Sequence, residues 1–143
     1  MKKRFKFLEH TADAYVEAYG TSLEEAFENA AFAMTDVMTE VEKVEAQNEE
    51  SFMVEAQDEY ALLYSWLEEL LLEFELKGRL YSRFEVSEIE KISEGFRLRA
   101  KAWGENYDSK KHPSKVGIKS ATYHQMKILK KPKSVTVRFI LDV

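Results

Sequence analysis

The hydrophobic pattern of this chain changes period at Gly78, and that change limits the folds open to it. Before Gly78 two long helical stripes dominate. Ser22 with Glu25 three residues on forms a capping box, and Leu23, Ala26, Phe27, Ala30, Met34, Val37 and Met38 follow at helical spacing. Asp58 caps a second helix whose stripe of Tyr60, Leu63, Leu67, Leu70, Leu71 and Phe74 is widened by Leu62 and Trp66, the mark of a more buried helix; Lys77-Gly78 ends it as a C-cap. From Leu80 the period becomes two. A strand runs to Ser93, turns at Glu94-Gly95, and returns with Phe96, Leu98, Ala100 and Ala102 alternating against Arg97, Arg99 and Lys101. The order β, α, ββ, α and then a run of strands is not a repeating βαβ pattern, which argues against a doubly wound parallel sheet. The pattern predicts an α+β fold, mostly antiparallel sheet with two helices packed on it, in a single domain over residues 1–143.

The remaining segments fill in that plan. Ala14 to Gly20 alternates as a half-buried strand directly after His10-Thr11-Ala12-Asp13. Val41 to Gln57 reads as a hairpin broken near Asn48-Glu49-Glu50. The polar stretch Glu105 to Lys115, with Pro113, forms the longest loop. Two strands close the chain, about Gly117 to Leu129 and Ser134 to Asp142, joined across Lys130-Lys131-Pro132-Lys133.

Composition removes several kinds of chemistry. The chain has no cysteine, which excludes disulfides, thiolate zinc sites, iron–sulfur clusters and cysteine nucleophiles. Any metal must use oxygen or imidazole. No apolar region follows the basic N-terminus, and no run of about 18 apolar residues occurs, so the expectation is a cytoplasmic protein without membrane contact. Residues 1–79 carry 7 basic and 19 acidic side chains, whereas residues 80–143 carry 14 and 7. That asymmetry suits a basic nucleic-acid face, and equally suits helices that carry Glu and strands that carry Lys and Arg.

The candidate chemistry lies near the chain ends. Alternation in the last strand puts Val135, Val137, Phe139 and Leu141 on one face and Thr136, Arg138, Ile140 and Asp142 on the other, with the α-carboxylate of Val143 directly after Asp142. If the first and last strands pair antiparallel, Asp13 approaches Asp142. Crowded carboxylates repel unless a cation neutralises them, and calcium or magnesium suits an all-oxygen set. By spacing alone the same residues read more readily as a turn cap and a solvated end. Of the histidines, His10 is close enough to Asp13 to orient it, His112 reads as plain surface, and His124 shares the parity of Ile118, Thr122, Met126 and Ile128 as a half-buried position. Lys119 and Tyr123 share the opposite parity and are candidates for exposure. No G-x-S-x-G elbow or H-E-x-x-H helix is present.

Four pieces in this order, His10-Thr11-Ala12-Asp13, Gly20-Thr21-Ser22-Leu23-Glu24-Glu25-Ala26-Phe27, Lys119-Ser120-Ala121-Thr122-Tyr123-His124 and Phe139-Ile140-Leu141-Asp142-Val143, give a chain that resembles the archease family over its whole length. It departs at Lys119-Ser120-Ala121, where Lys-Ala and a branched residue are expected. The resemblance implies a non-catalytic accessory factor of the RtcB-type RNA-splicing ligase in tRNA splicing. Such a factor promotes ligase guanylylation and multiple turnover, alters nucleotide specificity, and touches RNA at most indirectly or weakly. It also implies a divalent cation, calcium before magnesium, on Asp13, Asp142 and Val143, with His10, Lys119, Tyr123 and His124 supporting the ion or meeting the partner. Two readings stand beside it: a stand-alone metal-dependent hydrolase using the same carboxylates, and an RNA-binding or chaperone-like module resting on the basic second half.

Overall fold

Ser22 and Asp58 start the two helices as their sequence contexts predict. In the computed structural model, which describes residues 3–8 and 13–143, the Ser22 hydroxyl accepts the Glu25 N–H at 3.1 Å and opens helix α1, Leu23–Met38. The Asp58 carboxylate accepts the Ala61 N–H at 2.8 Å and opens α2, Glu59–Lys77. Each bond satisfies one of the four N–H groups that a helix start leaves without a partner. Gly78 stops α2 in the left-handed region, φ 67°, and returns its N–H to the Phe74 carbonyl.

Eight strands occur among the described residues: β1 Phe5–Leu8, β2 Ala14–Gly20, β3 Asn48–Ala56, β4 Arg79–Ile92, β5 Gly95–Asn106, β6 Ser120–Ala121, β7 Lys127–Lys131 and β8 Ser134–Asp142. They form two sheets, and every pairing is antiparallel. One has the order β1-β2-β8-β6, with β7 also on β8; the other has the order β3-β5-β4. This is the predicted α+β architecture. Among the described residues no helix is long and apolar enough to cross a membrane.

One apolar core joins both sheets to both helices. Val16, Phe27, Leu63, Trp66, Leu98, Val137 and Phe139 are all fully buried in it. Trp66 sits at its centre, edge-on to Phe52 and Phe84 with centroids 5.8 and 6.3 Å away. Its indole N–H donates to the Phe27 carbonyl at 3.0 Å, which gives the buried polar tip of the ring a partner on the other helix. Helix α1 also closes the edge of β4: the Glu28 carboxylate accepts the Val86 N–H at 2.8 Å and Glu24 that of Ile89 at 3.4 Å. Two carboxylates four residues apart thus take the place of a neighbouring strand.

Three segments away from the last strand differ from the sequence reading. The hairpin expected over Val41–Gln57 is a 3-10 turn at Val41–Lys43 followed by the single strand β3. Asn48-Glu49-Glu50 is no turn; it pairs with Gly104, Trp103 and Ala102, and its charges meet Lys101 at 3.7 Å and Arg79 at 3.5 Å. β1 was not anticipated, although Phe5 and Phe7 alternate with Lys6. His112, read as surface, is 1% exposed. Its Nδ1 accepts the Asp108 N–H at 2.9 Å and its Nε2 faces Glu105 at 2.8 Å. An Nδ1 that accepts carries no proton, so the ring is the neutral tautomer donating from Nε2.

Candidate functional site

The candidate site forms where β2 begins and β8 ends. Their pairing runs from Gly20 opposite Val135 to Ala14 opposite Leu141. The same register carried one residue further sets Asp13 opposite Asp142. On the far side of β8, Asp142 pairs with Ser120, and the Lys119 N–H donates to the Asp142 carbonyl at 2.7 Å. Asp142 is therefore the middle of three converging segments. Asp13, Asp142 and Val143 are all half-buried. Directly opposed residues of an antiparallel pair have Cβ atoms about 4.5–5.5 Å apart, close enough for two carboxylates to share one cation.

A polar row crosses the same sheet further in: Lys6, Glu17, Arg138 and Lys127, one from each of four strands. Glu17 is 5% exposed. Its carboxylate takes Arg138 Nε and the Tyr19 hydroxyl, each at 2.5 Å, with Lys6 Nζ at 3.5 Å. Burial alone would raise the Glu17 carboxyl, but the Tyr19 and Arg138 hydrogen bonds and the charges of Arg138 and Lys6 outweigh it and hold the group below its usual range. Burial and the Glu17 carboxylate push the Tyr19 phenol up. Strand alternation sets Glu17 on the face of β2 opposite Val16 and Ala18, and only the β2–β8 pairing identifies Arg138 as its partner.

The strand expected over Gly117–Leu129 is interrupted where it passes the site. Only Ser120–Ala121 and Lys127–Lys131 pair with β8. Between them the Thr122 N–H and hydroxyl both donate to the Ile140 carbonyl, at 3.1 and 2.9 Å, and the Met126 N–H closes a turn onto the Tyr123 carbonyl at 3.1 Å. Gln125 takes up the reversal at φ 54°, and Met126, 6% exposed, drops into the core. His124 therefore lies exposed on the turn, not half-buried in a strand. Lys119 and Tyr123 are exposed, and the Tyr123 ring stacks on Tyr64 of α2, with centroids 4.4 Å apart and planes at 9°. Glu68, one helical turn beyond Tyr64, accepts the Ala121 N–H at 2.7 Å and so fixes β6 to α2. No sequence signal marked Glu68.

His10 lies outside the described residues. Among the described residues no group of three or more His, Asp or Glu side chains comes together to hold a metal ion. The β2–β8 pairing ends at Ala14 opposite Leu141, so Asp13 and Asp142 are the next residues along the two strands at that sheet end.

Comparison with known proteins agrees with this architecture. Archease from Pyrococcus abyssi is 48% identical over 130 residues, 91% of each chain, and archease from Sulfurisphaera tokodaii is 41% identical over 141 residues, 99% of each. The solution structure of a Methanobacterium thermoautotrophicum protein superposes with a TM-score of 0.84 at 40% identity, covering 97% of this chain and 98% of that one. A Thermotoga maritima crystal structure, described as an archease and possible chaperone, shares the fold with a TM-score of 0.59 at 22% identity, covering 100% and 98%. The archease protein family matches residues 5–143, and this chain belongs to it.

Proposed function

We propose that this protein is a non-catalytic accessory factor of an RtcB-type RNA-splicing ligase in tRNA splicing, promoting ligase guanylylation and multiple turnover and altering its nucleotide specificity. The observation that carries this reading is family membership over residues 5–143; the placement of Asp13 and Asp142 next to the end of the β2–β8 pairing supports it. The working edge holds a divalent cation, calcium before magnesium, on Asp13, Asp142 and the α-carboxylate of Val143. These donors are all hard oxygens, which suits either ion and disfavours softer metals. When bound, the ion supplies the positive charge that lets the carboxylates lie together.

The chain's own residues do the rest. Ser120 pairing and the Lys119 N–H hold Asp142 in place, while the exposed Lys119, Tyr123 and His124 beside it offer a cation, an aromatic face and an imidazole to the ligase. RNA is reached through the ligase. The test is multiple-turnover ligation by the ligase with and without this protein. Product should exceed one equivalent of ligase only when it is added, and Asp13→Ala should abolish the gain. Product that never passes one equivalent with the protein present removes the reading.

A further inference from the structure

The opposite end of the β2–β8 pairing holds a second polar site. Six residue steps along the strand separate Ala14 from Gly20, about 20 Å at the usual rise. There the segment at Lys3 and Arg4, the entry of α1 and the turn at Lys133 and Ser134 enclose a cleft of about 500 Å³. That volume lies within the range of small-molecule sites, about 300–1,000 Å³.

Arg4 is set in this cleft with unusual care. Its Nε donates to Asn29 Oδ1 at 3.0 Å, and its guanidinium carbon lies 3.6 Å from the centre of the Phe32 ring. Asn29, 8% exposed, donates in turn to the Tyr19 carbonyl at 2.6 Å, and the Tyr19 N–H returns to the Arg4 carbonyl at 2.9 Å. The residue as a whole is exposed, yet loss of water around the guanidinium lowers its pKa against the pull of Glu28 and Glu25. Nε is one of five donors on that head. Among the described residues no carboxylate pairs with the others.

The two acids of the cleft are already engaged with the backbone. Glu25 accepts the Thr21 N–H at 2.6 Å and the Thr21 hydroxyl at 3.2 Å, and Glu28 accepts the Val86 N–H. Three cations, Lys3, Arg4 and Lys133, outnumber them, and the Ser134 hydroxyl adds a neutral donor. An oriented guanidinium with two flexible ammonium groups and a hydroxyl offers more donors than one carboxylate can accept; the three oxygens and double charge of a phosphate match them better. The remaining space, bordered by Tyr19 and Gly20, leaves room for an organic body.

We propose that this cleft binds a small organic phosphate, with its phosphate on Arg4, Lys133 and Lys3 and its body against Tyr19. Phenyl phosphate is the probe, followed by amide chemical shifts of the intact protein at fixed ionic strength, with benzoate and inorganic phosphate as companion titrations. The expected result is saturable shifts at Thr21 and Ser134, with phenyl phosphate binding at least about tenfold more tightly than benzoate. Lys133→Gln, which removes no internal hydrogen bond or ion pair seen among the described residues, should weaken it by about tenfold, and Arg4→Lys should weaken it while keeping the charge. Inorganic phosphate shifting the same amides more weakly supports the role of the body. The absence of saturable shifts up to about 10 mM, equal affinity for benzoate, or unchanged affinity in Lys133→Gln overturns the proposal.

Discussion

The Glu68 carboxylate of α2 accepts the N–H of Ala121, 53 residues away, at 2.7 Å. Ala121 is 3% exposed and sits in a two-residue strand whose other edge pairs with Asp142 and Leu141. Removing the acceptor leaves a buried N–H unsatisfied, a cost of about 1–3 kcal/mol. Glu68→Ala should therefore lower the urea midpoint and speed hydrogen exchange at Ala121, while Glu68→Gln, which keeps an oxygen there, should do so far less. Equal exchange at Ala121 in all three proteins would show that α2 does not hold β6.

Glu105 gives the fold a defined acid limit. Burial would raise its carboxyl, but the Glu45 N–H, Lys111 and His112 outweigh that and lower it to about 2. A folded-state pKa below the unfolded one contributes stability that is fully present above the unfolded value and lost as pH falls through the folded one. The wild-type advantage over Glu105→Gln should thus be constant above about pH 4.5 and shrink steadily towards pH 2. Denaturant midpoints at half-unit pH steps measure it, and an advantage that stays level across that window refutes the assignment.

Trp66 joins the two helices through its indole N–H as well as through its bulk. Trp66→Ala should cost about 3–5 kcal/mol, as large aromatic deletions in packed cores do. Trp66→Phe should cost less, because it keeps most of the apolar volume and leaves the Phe27 carbonyl without this donor. Thermal unfolding separates the two, and near-equal losses would mean that the hydrogen bond outweighs the packing.

What the sequence disclosed follows from the range of each signal. Ser22, Asp58 and Gly78 act within four residues of themselves, so both helix starts and the end of α2 were legible. The alternation of β5 and β8 was legible for the same reason. Asn48-Glu49-Glu50 misled because a polar run at an edge strand resembles a turn until its cations, Lys101 and Arg79, are brought alongside. The break at Tyr123–Met126 was hidden because Gln125 carries no glycine or proline mark for its positive φ. The antiparallel pairing of β2 with the last strand entered the sequence reading only as a condition; Glu17 with Arg138 and Glu68 with Ala121 are contacts across 121 and 53 residues that no local pattern encodes.

The acid edge makes a thermodynamic prediction that needs no ligase. An ion that binds the folded chain alone adds about 2.7 kcal/mol at one hundred times its dissociation constant. For a domain of this size that corresponds to a rise in melting temperature of several degrees, at about 2–4 °C or more per kcal/mol. Calcium should raise the melting temperature of the wild type in a saturable way, with magnesium weaker. Asp13→Asn and Asp142→Asn should each lose the rise, because each removes one of the two side-chain charges next to the end of the β2–β8 pairing. A rise that is identical in wild type and in both Asn variants would place the bound calcium elsewhere and separate the edge from metal altogether.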